Sequence, residues 1–187
     1  MIYIDNCYRT TLKETSYDND NKEYMTQSTL EVVDFDKLKN LFQSNLRREK
    51  TLCSNDALFE NHDGEIFMIE FKNGRIKSDV IHKLHRKNYD SVLIHLHYDN
   101  RDIKTITEKL NYILVYNEEK NPNEPGTNES ISRSTSRNRF GTILASRANT
   151  HPIFFGLNYF KGYIFKEVYT LTKKQFEEQF IQTWGTA

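Results

Sequence analysis

The chain has 187 residues, which suits a single domain over 1–187 and is long enough to bury a core. Its 26 acidic and 26 basic residues balance, which excludes the overall basic surface of a strong nucleic-acid binder. Apolar residues make up only 37%, but 12 Phe and 11 Tyr supply bulk, and no run approaches the ~20 apolar residues of a membrane helix.

Charge is nonetheless segregated along the chain. Bases cluster at 47–50, 72–77 and 82–87 and again at Arg133, Arg137, Arg139 and Arg147, while acids gather at 18–23, 118–129 and 177–178. That pattern permits a positive groove on a neutral protein; ordinary solvated surface is the plain alternative. Cys7 and Cys53 are the only cysteines, and the N-terminal stretch lacks the pattern of a secretory signal. Both point to a reducing, cytoplasmic setting without a disulfide framework.

Residues 1–27 give a weak signal: 1–4 suit a short strand, and 16–24 are polar enough for a loop. Residues 28–35 alternate as a strand does. A helix is predicted near 35–47, with Asp34 or Asp36 as cap and Leu38, Leu41 and Phe42 on one face. Two short apolar runs follow, 57–59 and 66–69, and Asn73-Gly74 marks a tight turn. Ser78 is the expected cap of a helix running to about residue 95, with a buried stripe of Ile81, Leu84, His85, Asn88 and Val92 and a basic side of Lys83, Arg86 and Lys87. Residues 101–109 suit a helix or turn, and 110–117 read as a central strand. The polar stretch 118–139 reads as a long flexible loop. Residues 140–147 suit the end of a short helix, 164–171 a strand, and Thr172 caps a last amphipathic helix to about residue 182. This order gives a mixed α/β domain: a central sheet covered by helices on both faces.

The apolar runs carry unexpected charges: Asp56 just before the first, Glu70 and Lys72 at the end of the second. His62-Asp63-Gly64 suits a three-residue hairpin loop with Gly64 in the left-handed position. Asn61 then faces Glu65, and Asp56 lies opposite Glu70. Alternation puts Glu70 and Lys72 on one face with Leu58, Ile66 and Met68, and puts Ala57, Phe59, Phe67, Ile69 and Phe71 on the other. Two converging carboxylates resist joint ionisation unless a cation lies between them. A hard divalent ion such as Mg2+ is satisfied by one or two carboxylates plus water and substrate phosphate, and the Phe71 carbonyl is a candidate third protein oxygen. Lys72 would then stabilise charge or orient the attacking water, which a bound metal can activate near neutral pH. The plain alternative is a charged hairpin end with Asp56 and Lys72 paired diagonally.

Asp56, thirteen intervening residues, then Glu70-Phe71-Lys72 on an apolar strand followed by a helix, resembles the PD-(D/E)xK nuclease superfamily over about 28–117. Asn55 stands where the family pattern has proline. The resemblance implies a restriction-endonuclease-like fold, with Asp56 and Glu70 as ligands of Mg2+ (or Mn2+), Lys72 as the catalytic lysine, and phosphodiester cleavage in DNA or RNA. It further implies a polar residue from the helix after the triplet. Lys87 and Lys83 are the candidates, with Tyr89 and Ser91 nearby, and Glu31 or Glu49 is a weaker upstream addition. Lys83 and Arg86 would guide phosphate along the basic helix side.

Nucleic acid is the expected partner, and no membrane is. The alternative is a catalytically inactive nuclease-fold binding protein, such as a mobile-element inhibitor or an immunity or defence component, acting on a protein or nucleic-acid partner. A homodimer is left open. His82, His85, His95 and His97 read as structural rather than zinc-binding, since the chain has no C-x-x-C. Tyr159, Phe160, Tyr163 and Phe165 read as core rather than as a base-stacking platform.

Overall fold

The computed structural model describes residues 8–46, 51–99, 102–122 and 152–185. The readings placed on 1–4, 140–147, most of 118–139, Glu49 and Arg133 to Arg147 fall outside them.

Among the described residues, six strands form one mixed sheet. They are β1 (Arg9–Thr11), β4 (Glu31–Asp34), β5 (Ala57–Glu60), β6 (Ile66–Lys72), β7 (Leu110–Tyr116) and β8 (Glu167–Thr172), in that spatial order. Strands β2 (Tyr17–Asp18) and β3 (Glu23–Tyr24) form a separate small hairpin. Pairing is antiparallel from β1 to β6 and parallel from β6 to β8. A parallel step needs a long crossover. Between β6 and β7 it is supplied by α3 (Ser78–Tyr98) and α4 (Ile103–Thr107).

Both β6 and β7 are near-continuous apolar runs because each is covered on two sides. Leu58, Met68, Tyr112 and Leu114 face a core shared with α2 (Phe35–Leu46) and α3. Ala57, Phe67, Ile113 and Val115 face a second core with α1 (Leu12–Thr15) and the C-terminal helix. That last helix begins as α5 (Lys173–Phe176) and continues through a π-helical turn, Glu177–Ile181, into Gln182–Trp184. No helix of the described residues is long and apolar enough to cross a membrane.

Local chemistry accounts for most boundaries. Asp34 Oδ1 accepts from Lys37 N at 3.0 Å and starts α2. Thr172 and Gln175 form a reciprocal capping box at α5. Helix α3 departs from the sequence reading: Lys77, not Ser78, is its cap position, and no side chain caps it. The helix reaches Tyr98 because nothing breaks it before Asp99 turns extended. Strand β4 starts at 31 because Ser28 bonds the Leu30 amide through its hydroxyl. Strand β8 starts at 167 because Phe160 O collects the amides of 163–165 in a turn, and Gly162, at φ 70°, donates to Phe165 O.

The hairpin register matches the expected one. Ala57 opposes Ile69 and Glu60 opposes Ile66, while Asn61 N donates to Glu65 O at 3.0 Å. Gly64 has φ 73°, the left-handed conformation that glycine adopts without strain.

Candidate active site

Asp56 directly precedes β5 and is held by main chain on three sides. Its amide donates to Ile69 O at 3.0 Å, its carbonyl accepts from Phe35 N at 3.3 Å, and its Oδ2 accepts from Phe71 N at 2.7 Å. Phe71 therefore meets the site through its backbone, while its ring packs in the second core near Phe176.

Glu70 is the deepest group, with its side chain 0% exposed. Lys72, two residues along the same strand face, places Nζ 2.6 Å from Glu70 Oε1. Lys87 reaches in from α3: its Nζ lies 2.7 and 2.8 Å from the two Glu70 oxygens and 3.2 Å from Asp56 Oδ1. The two carboxylates thus converge on one cationic atom. The diagonal Asp56–Lys72 pair of the plain alternative is replaced by Lys72 on Glu70 and Lys87 bridging both acids.

Electrostatics follow from that depth. Burial, and next the Glu70 charge, raise the Asp56 pKa to about 6, against the opposing pull of Lys87, Lys72 and the Phe71 amide. Burial alone would lower the Lys87 pKa, but Glu70 and then Asp56 outweigh it and hold the ammonium charged. Tyr112 lies on the same sheet face; burial and then the two carboxylates keep its phenol well above its usual pKa, and so neutral.

The site opens into a groove of about 560 Å³. One wall is α3, through Val80, Lys83 and Lys87, and the opposite wall is the β2–β3 hairpin with Asp18 and Asn21. Lys72, at the end of β6, lines it with Asn73 and Arg75 beyond the strand.

Of the sequence candidates, Asp56, Glu70, Lys72, Lys87 and the Phe71 backbone meet, and Lys83 lines the groove one turn before Lys87. Arg86 does not join them. It projects from another side of α3, donating to Thr51 O at 2.6 Å and pairing with Asp90 at 3.4 Å. Glu31 pairs with Arg9 away from the groove. Tyr89 contacts Phe160 instead. Phe160 and Phe165 are core as expected, but Tyr159 and Tyr163 are 59% and 61% exposed.

A supporting layer was not read from the sequence as a unit. Asn55, Asn88 and Ser91 are completely buried. Asn55 N donates to Ser91 Oγ at 2.8 Å, and Asn55 Nδ2 donates to Asn88 Oδ1 at 3.2 Å. These bonds lock the residue before Asp56 to the helical turn that carries Lys87. The available signal was two polar residues, three apart, on the apolar stripe of a helix.

Comparison with protein-family models, curated proteins and solved structures finds no match for the chain.

Two buried-side carboxylates already arranged around a shared cationic atom are the hard-oxygen donor set that a Mg2+ or Mn2+ ion needs, and the groove gives room for further oxygen ligands. The residues present fit a divalent ion.

Proposed function

We propose that the protein is a metal-dependent nuclease of restriction-endonuclease-like fold, hydrolysing phosphodiester bonds in DNA or RNA. The observation that carries this reading is the meeting of Asp56, Glu70, Lys72 and Lys87 at the floor of an open groove. Asp56 and Glu70 would hold Mg2+ or Mn2+, with the Phe71 carbonyl as a further oxygen. Bound there, the ion would act as a Lewis acid on the phosphate and activate water.

The chain's own residues define the rest. Asp56 is fixed by the Phe71 amide, so its second oxygen is aimed at the site rather than free to rotate. Lys72 and Lys87 supply positive charge where negative charge grows on the phosphate oxygens. Lys83 and Arg75 lie along the groove and would hold flanking phosphates. Glu70, buried beneath both lysines, holds the Lys72 ammonium head in place.

A second reading has its own support. Lys87 already pairs with both acids, as it would in a nuclease-like protein that binds without cutting. Incubation of the purified protein with single-stranded and duplex DNA and RNA, in Mg2+, Mn2+ or EDTA, separates the two. The nuclease reading expects cleavage that needs metal and falls by about 10²-fold or more in Lys72→Ala and Glu70→Gln. Binding that ignores metal and both substitutions, with no cleavage of any substrate, establishes the other.

A further inference from the structure

The charge balance of the site constrains how it can load. Glu70 has no exposed side-chain surface, whereas the Lys72 and Lys87 side chains above it are 27% and 21% exposed. A cation bound at Glu70 would lie against their ammonium heads. Two carboxylates and two ammonium groups leave the site neutral. Adding a divalent ion alone would leave two uncompensated positive charges where water is scarce, and burying unpaired charge is costly. The ion would also need oxygens that Lys87 already engages, since Nζ contacts Asp56 Oδ1 and both Glu70 oxygens.

Lys87 has somewhere to go. It lines the groove, with Lys83 one turn earlier on the same wall. An ammonium released from the acids therefore turns toward the space a phosphodiester would fill. Asp18, on the opposite wall, is not a ready replacement partner, because its carboxylate already accepts from Asp20 N, Asn21 N and Asn21 Nδ2.

We propose that Lys87 is the resident counter-cation of Asp56 and Glu70, and that a divalent ion enters only as Lys87 passes its contact to an incoming phosphodiester. Ion and substrate then bind cooperatively, and the ion alone binds weakly. This rests on the metal-dependent reading of the site.

The test is Mn2+ binding to the full chain, followed by electron paramagnetic resonance of the free ion, for the parent, Lys87→Gln and Glu70→Gln. Dimethyl phosphate serves as a minimal anionic phosphodiester and trimethyl phosphate as its neutral counterpart. Without either ester, Lys87→Gln is expected to bind Mn2+ about tenfold tighter than the parent. Dimethyl phosphate should tighten Mn2+ binding to the parent and do so less in Lys87→Gln, while trimethyl phosphate does neither. Equal affinities in parent and Lys87→Gln, with binding lost in Glu70→Gln, would overturn the coupling and leave the metal site standing. Mn2+ binding that is absent throughout, or untouched by Glu70→Gln, overturns both. Should Lys87→Gln not fold, the two esters on the parent decide alone: no difference between them sinks the proposal.

Discussion

Asp56 holds a charge that the fold disfavours. With its pKa near 6 in the folded chain against 3.8 when unperturbed, the folded state binds the extra proton between those values. Stability from this group is therefore greatest below about pH 4 and is lost as pH rises to about 6, a loss of roughly 2–3 kcal/mol. Asparagine keeps the oxygen that accepts from Phe71 N and carries no charge. Asp56→Asn is expected to match the parent near pH 4 and to be more stable by about 2 kcal/mol above pH 6 in urea titrations. A difference between parent and Asn variant that does not change between pH 4 and 7.5, or an Asn variant less stable at pH 7.5, would contradict this. The same residue marks how far single positions were legible. Asp56, Glu70 and Lys72 followed from strand alternation plus one hairpin loop, because period two leaves little freedom once the register is set. Lys83, Arg86 and Lys87 looked alike on a helical wheel. Only tertiary contact separates Arg86, spent on Thr51 and Asp90, from the two lysines that face the groove.

Between elements, the site depends on three junctions of different strength. The β5–β6 turn is pinned by Gly64, and a Cβ there would also come within 3.3 Å of Lys109 Nζ. Gly64→Ala should cost about 1 kcal/mol in the urea midpoint, since φ 73° strains any L side chain. The junction between the segment before β5 and α3 runs through Asn55, Asn88 and Ser91. Ser91→Ala leaves the Asn55 amide without its acceptor in the interior, for an expected loss of about 1–3 kcal/mol. The β2–β3 hairpin is joined more loosely. Asn73 Nδ2 and Lys173 Nζ reach Glu23 at 3.1 and 2.7 Å, and Lys120 Nζ reaches Asn21 at 3.0 Å. Polar contacts at an exposed edge resist opening less than a core does. Amides of Tyr17 to Tyr24 should exchange with deuterium well before those of β6 and β7, and faster still in high salt. Equal protection would mean the hairpin is part of the main core. This element was not legible in advance: a two-residue strand has too short a pattern to stand out from loop.

For the whole molecule, zero net charge sets the scale of any nucleic-acid contact. Among the described residues, the groove offers Lys72, Arg75 and Lys83 for steering. Duplex binding should therefore show a shallow dependence on salt, a log–log slope near −3 at about −0.9 per phosphate, and Lys83→Ala should flatten it by about one. Fluorescence anisotropy between 50 and 200 mM salt measures both, and a slope beyond about −6 would point to a larger basic surface outside this groove. The coarse architecture was readable from sequence because its two central strands are apolar on both faces and its helices keep clean stripes. The sheet's order and the second core were not, since they depend on which distant strands pair. Between β6 and β8 all strands run the same way, so the chain segments that leave β6 and β7 emerge beside Glu70. They are tied there by Asn117 N to Lys72 O and by Ile76 N to Asn121 Oδ1, at 3.1 and 2.8 Å. The floor of the groove belongs to strands that both cores depend on, and one wall belongs to α3, which the first core needs, while Asp18 to Asn21 and Asn73 to Arg75 line it from turns and strand ends. If the groove receives a target as proposed, substitutions at Asp18 to Asn21 and Asn73 to Arg75 can alter what is reached without eroding the floor, so recognition and folding can evolve on separate residues.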